Sequence, residues 1–88
     1  MLTVNEDYLK QNLARNVRYL RLNRSPRISQ TMLANKLGVT QSSISKYESA
    51  VLLPPPHILV AMAQCFGFTT DELLSETLPG KKGMNKNE

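Results

Sequence analysis

Between Ser29 and Glu48 the chain reads SQTMLANKLGVTQSSISKYE, and this stretch limits the fold more than any other. Ser29 and Thr40 each precede a run of helical character, where a side-chain oxygen can accept the free N–H groups of a helix start. Gly38 follows the first run at the point where a left-handed residue closes a helix. The spacing predicts one helix over QTMLANKL, with Met32, Leu33 and Leu37 as its apolar positions. It predicts a second over residues 41–48, in which Ile44 and Tyr47 are the only large apolar side chains and Val39 anchors the turn before it.

Two short helices joined by a tight glycine turn form a helix-turn-helix pattern, and the rest of the chain reads as its support. Leu9, Leu13, Val17 and Leu20 fall within about 80° of one another when each residue advances roughly 100°. A first helix is therefore expected over about residues 5 to 24, capped by Thr3 or Asn5. Arg21 lies beside that stripe, while Arg15 and Arg18 point away from it. Tyr8, Tyr19 and Leu22 form a weaker stripe that either packs on the end of the chain or meets a second copy. Pro26 disfavours helical geometry at Ser25 and ends the helix.

The segment SAVLLPPP interrupts regular structure. A fourth helix is expected from about Pro56 to Phe66, buried through Leu59, Met62, Ala63 and Phe66, and closed by Gly67. Thr69 and Glu72 have capping-box spacing for a fifth helix that turns Leu73 and Leu74 inward. After Leu78 the sequence PGKKGMNKNE is almost wholly polar, so residues 79–88 are expected to form a disordered tail. A chain of 88 residues holds one core at most. The expectation is a single all-α domain of five helices over residues 1–78.

Charge and composition narrow the function. The net charge of +4 is modest, yet every charged residue from Lys10 through Lys46 is basic, and no Asp or Glu occurs between Asp7 and Glu48. Such polarity steers polyanions toward one face. The single cysteine, Cys65, implies no disulfide, and no apolar run approaches the roughly 18 residues of a membrane span. Glu6 and Asp7 stand where a signal peptide carries positive charge. A soluble cytoplasmic protein is expected, without metal or cofactor. Catalysis is not expected either. His57 reads as an exposed first-turn residue, Cys65 as a core thiol, and the serines lack a base and an orienting acid.

At this point the residues resemble a known family. SQTMLANKLGVTQSSISKYES, followed by Pro54 and LVAMAQCFGFTTDELL, is similar to the lambda-repressor-like, Cro/repressor (XRE-type) helix-turn-helix domain. The matching points are Gln30, Ala34, Gly38, Ile44 and Glu48, then Ala63, Phe66, Gly67 and the closing Asp71-Glu72-Leu73. The resemblance implies five helices, with the third entering the major groove of double-stranded DNA. That groove, about 12 Å wide, shows a distinct donor and acceptor pattern for each base pair. Gln41, Ser42, Ser45 and Lys46 are then the base-reading candidates. Gln30, Thr40, Ser43 and Ser49 are the phosphate-contacting ones, although the hydroxyls of Thr40 and Ser43 equally serve a helix start. The same resemblance pairs Arg21 with Glu48 as an ion pair between the first and third helices.

The chain departs from the family at two places. The connection between the first two helices is longer, and it offers Arg24 or Arg27 as an extra backbone contact or is a tolerated insertion. After Glu48 the family carries glycine and a basic residue, whereas this chain has Ala50, Val51 and Leu52. Ala50 makes a left-handed backbone costlier there. Val51, Leu52 and Leu53 are candidates for a homodimer contact, or tuck into the domain's own core. The reading is a nucleoid-associated, homodimeric transcriptional regulator, a repressor, on a partly palindromic operator. The alternative is an antitoxin or interaction module of the same fold, which binds a partner protein and controls its own operon.

Overall fold

The computed structural model describes residues 5–78. Five helices follow one another: α1 (Glu6–Leu22), α2 (Gln30–Leu37), α3 (Gln41–Glu48), α4 (Pro56–Phe66) and α5 (Thr70–Leu73). The described residues form an all-helical domain with no strand. The expected tail over 79–88 and the Thr3 cap lie outside them.

Each helix begins on the residue that local chemistry favours. The Asn5 side chain accepts from the Tyr8 N–H, Ser29 from Met32 and Thr40 from Ser43. Pro55 and Pro56 start α4 without a side-chain cap, since proline at a first helical position has no N–H to satisfy. Thr69 and Glu72 close a reciprocal capping box on α5, at 3.0 and 3.1 Å. The end of α1 differs from the expectation built on Pro26. The helix stops at Leu22 with Asn23 as its C-cap, whose backbone N–H makes the last i→i−4 bond to the Tyr19 carbonyl at 3.0 Å while its side-chain amide donates to the same oxygen at 2.8 Å.

Leu13, Val17 and Leu20 of α1 meet Leu33, Ala34 and Leu37 of α2, with Ile44 and Tyr47 of α3, in one continuous core. Leu9 is only half-buried. Met32 is not a core residue: it is 47% exposed, and Ala34 takes the inner place. The helical period explains this, because Leu33, Ala34 and Leu37 share one face while Met32 falls on the other. In α4 the buried positions are Ile58, Met62 and Ala63, with Leu59 and Phe66 half-buried at the edge. Of the second stripe on α1, Tyr19 packs on the core, Leu22 is half-buried and Tyr8 is 40% exposed.

A polar clamp ties α5 back to α1. The buried Asn16 amide donates to the carbonyls of Leu73 and Ser75, at 2.8 and 2.9 Å. One turn earlier Asn12 donates to Leu74 at 2.9 Å, and Arg15 donates to the Glu76 carbonyl. These side chains satisfy carbonyls that a four-residue helix leaves open at its end. Leu73 and Leu78, both essentially buried, bracket the clamp.

α2, α3 and α4 end alike, on a residue of positive φ: Gly38 (72°), Ala50 (62°) and Gly67 (78°). After α3 the Ala50 N–H donates to Tyr47 and the Val51 N–H to Lys46, the 5→2 and 6→1 bonds of a Schellman motif. Gly38 takes this conformation without a Cβ penalty, whereas Ala50 pays about 1–2 kcal/mol for it. Part of that is recovered on replacement, since glycine loses more backbone freedom on folding. Ala50→Gly is expected to stabilise the domain by about 1 kcal/mol, read as a higher urea midpoint with an unchanged slope.

Candidate nucleic-acid interface

α3 is held between α1 and α2 and turns one face to solvent. Ile44 and Tyr47 are buried at 0% and 4% exposure and set which side points inward. Gln41, Ser42, Ser45 and Lys46 lie within about 140° of one another at 100° per residue. Gln41, Ser42 and Lys46 are exposed, and Ser45 is half-buried. The outward face is therefore a polar ridge with one charge, at Lys46.

The ridge is fixed from beneath by a chain of hydrogen bonds. Arg21 donates through Nε to Glu48 Oε2 at 2.7 Å and through Nη2 to Oε1 at 2.9 Å. Its remaining Nη1 donates to the Ile28 carbonyl at 3.0 Å. The two side chains of the pair are 8% and 2% exposed. Hydrogen bonding to Glu48 holds the Arg21 guanidinium above its ordinary pKa, against the desolvation that burial imposes, and Coulomb attraction to the same carboxylate adds to the rise. Gln30 Nε2, at the start of α2, donates to Glu48 Oε1 at 3.0 Å. Gln41 Nε2 then donates to Gln30 Oε1 at 2.6 Å. Four side chains from three helices thus run from a buried ion pair to the exposed first turn of α3.

A family model for the helix-turn-helix matches residues 17–73, from the middle of α1 to the end of α5. The chain belongs to the XRE-type, Cro/repressor-like helix-turn-helix family. At that general level it is a DNA-binding transcription regulator. No curated protein and no solved structure matches it. No helix among the described residues is long and apolar enough to cross a membrane.

The helix-turn-helix places the remaining candidates around α3. Thr40 donates its hydroxyl to Ser43 Oγ at 3.0 Å and accepts the Ser43 N–H at 3.1 Å, so both hydroxyls serve the helix start. Ser49 is exposed and donates to the Ser45 carbonyl at 2.7 Å. Val51 and Leu52 stand out at 58% and 46% exposure, whereas Leu53 is half-buried against the core. His57 is exposed at the first turn of α4, and Cys65 is half-buried near its end.

The basic run is divided by the fold. Lys10 pairs with Glu6 at 3.4 Å, Arg15 reaches the Ser75 and Glu76 carbonyls, and Arg21 holds Glu48. The Arg24 guanidinium lies over the Phe66 ring, 5.7 Å from its centroid, and donates to Cys65 Sγ at 3.6 Å. Arg18, Arg27, Lys36 and Lys46 are exposed and have no partner among the described residues. Sequence reasoning did not find Asn12 and Asn16 as structural residues. The available signal was two asparagines one helical turn apart beside the apolar stripe of α1.

Glu48 is the hub of this network, and its removal strands a buried guanidinium. Glu48→Ala is expected to cost about 3–5 kcal/mol of stability in equilibrium urea unfolding. The apolar pair Arg21→Met with Glu48→Leu is expected to lose less than the single change.

Proposed function

We propose that the protein is a homodimeric, sequence-specific repressor that reads a partly palindromic operator with α3 in the major groove. The observation that carries this reading is the pinned amide of Gln41. One of its N–H groups bonds to Gln30, which leaves the second N–H and the carbonyl oxygen for a base edge. Adenine presents an acceptor at N7 and a donor at N6, which is the complement of that pair. Because Gln30 and Glu48 hold the amide before contact, little side-chain freedom remains to be lost on binding.

Lys46, a little over one turn further along, donates to guanine O6 and N7 in this reading, and Ser42 and Ser45 supply short hydroxyls that let the helix approach closely. Gln30 keeps one N–H beyond its bond to Glu48, at a helix start whose free N–H groups favour an anion. It is assigned to a phosphate, as are Thr40, Ser43 and Ser49. Phosphate contacts set register, while base contacts set sequence preference.

Val51 and Leu52 are assigned to the contact between two copies. They are large, adjacent and exposed, and the left-handed Ala50 projects them from the end of α3. A dimer formed this way presents two reading helices to a two-fold symmetric site, with half-sites about 34–36 Å apart if it spans one helical turn. Occupying such a site at a promoter represses by exclusion of polymerase.

The reading helix is tested by selecting a binding site from random duplexes and then assaying Gln41→Ala on it. The variant is expected to lose about 1–3 kcal/mol at one base position and its discrimination there, with binding to unrelated duplex nearly intact. An equal loss on every sequence removes Gln41 from base reading. Leu52→Glu is expected to shift the protein from dimer to monomer in sedimentation velocity, and an unchanged association state counts against the assigned contact.

A further inference from the structure

The loop between α1 and α2 contains two arginines, and the fold treats them differently. Arg24 is turned back onto α4, with its guanidinium over Phe66 and a hydrogen bond to Cys65. Arg27 is exposed and has no partner among the described residues. Between the loop and α2 sits Ile28, which is 4% exposed and plugs the core. Its N–H donates to the Arg21 carbonyl at 3.4 Å, and its own carbonyl accepts from Arg21 Nη1 at 3.0 Å. Arg27 therefore leaves the surface from a backbone fastened on its C-terminal side.

That fastening is part of the network that orients α3. The guanidinium that holds the Ile28 carbonyl also holds Glu48, to which Gln30 and then Gln41 are bonded. Arg27 is three residues before Gln30, so their Cα atoms are no more than about 11 Å apart at 3.8 Å per step. No acidic residue stands near it in sequence, and the two Glu48 oxygens are already occupied by Arg21 and Gln30. Among the described residues Arg27 is a cation without an internal partner, set beside the end of α2 that the proposed reading places against a DNA strand.

We propose that Arg27 is a phosphate-binding residue, clamping the sugar–phosphate strand that borders the groove entered by α3, and that Arg24 is a packing residue with no DNA contact. This rests on the groove-reading proposal above. A guanidinium offers paired N–H donors to two phosphate oxygens, which suits it to this task better than an ammonium group. It also supplies a positive charge on the strand side, where the loop after α3 carries Val51 and Leu52 rather than basic residues.

The test uses the full chain and a short mixed-sequence duplex, because a phosphate contact does not depend on sequence. Affinity is measured across a salt series for the parent protein, Arg27→Gln, Arg27→Lys and Arg24→Gln. Arg27→Gln is expected to bind several-fold more weakly at low salt. Its plot of log affinity against log salt should be shallower by about 0.9. Arg27→Lys should restore the slope but not all of the affinity. Arg24→Gln should keep the parent slope and lower the thermal midpoint instead. A parent slope retained in Arg27→Gln overturns the assignment while leaving the DNA reading in place. Failure of the parent protein to bind duplex DNA overturns both.

Discussion

Arg21 and Glu48 meet where three helices converge, and the placement of α3 depends on that contact. A charge left alone at this depth would carry a desolvation penalty of several kcal/mol, so each residue needs the other in the folded state. The fork of the guanidinium spans both carboxylate oxygens and still reaches the Ile28 carbonyl. One side chain of α1 therefore sets the end of α3 and the entry to α2 together. Such a pair adds little net stability compared with well-packed apolar residues. Its value here is geometric, because Gln30 is aligned on the carboxylate and Gln41 on Gln30.

The remaining basic residues divide into those that hold the domain together and those left for solvent or a partner. Lys10, Arg15 and Arg24 are engaged with Glu6, the end of α5 and α4 respectively. Arg18, Arg27, Lys36 and Lys46 have no partner among the described residues. Only Lys10 and Arg21 are neutralised by a carboxylate among the described residues, so Arg15 and Arg24 keep an exposed positive charge. The outward face of α3 carries one charge, Lys46, among uncharged donors and acceptors. The apolar step at Val51 and Leu52 interrupts this polar surface and stands on a left-handed alanine, an arrangement with a steric cost that a glycine would not carry.

Much of the architecture was legible because the signals act over three or four residues. Ser29, Thr40, Thr69 with Glu72, and the glycines at 38 and 67 mark helix ends by chemistry within one turn of themselves. The order of five helices and the outward ridge on α3 follow from those marks and the apolar period. Met32 and Ala34 show that angle outweighs size, because the helical period turns the smaller Ala34 inward and leaves Met32 exposed. Pro26 sets an outer limit for α1, and the asparagine that caps it three residues earlier gives a weaker signal.

Partners far apart in the chain leave no periodic trace. Asn16 and Ser75 are separated by 59 positions, Arg24 and Cys65 by 41, and Arg21 and Glu48 by 27. The amino-acid sequence by itself determined which segments are helices, how each is capped and which face of α3 stays polar, since these depend on neighbouring side chains and backbone groups. Tertiary structure alone decided that Arg24 lies over Phe66 while Arg27 has no partner among the described residues, that Asn12 and Asn16 anchor the last helix, and that Gln41 is braced through Gln30 to a buried ion pair. Those outcomes required helices to meet in space, where one hydrogen-bonding group has several possible partners and packing selects among them.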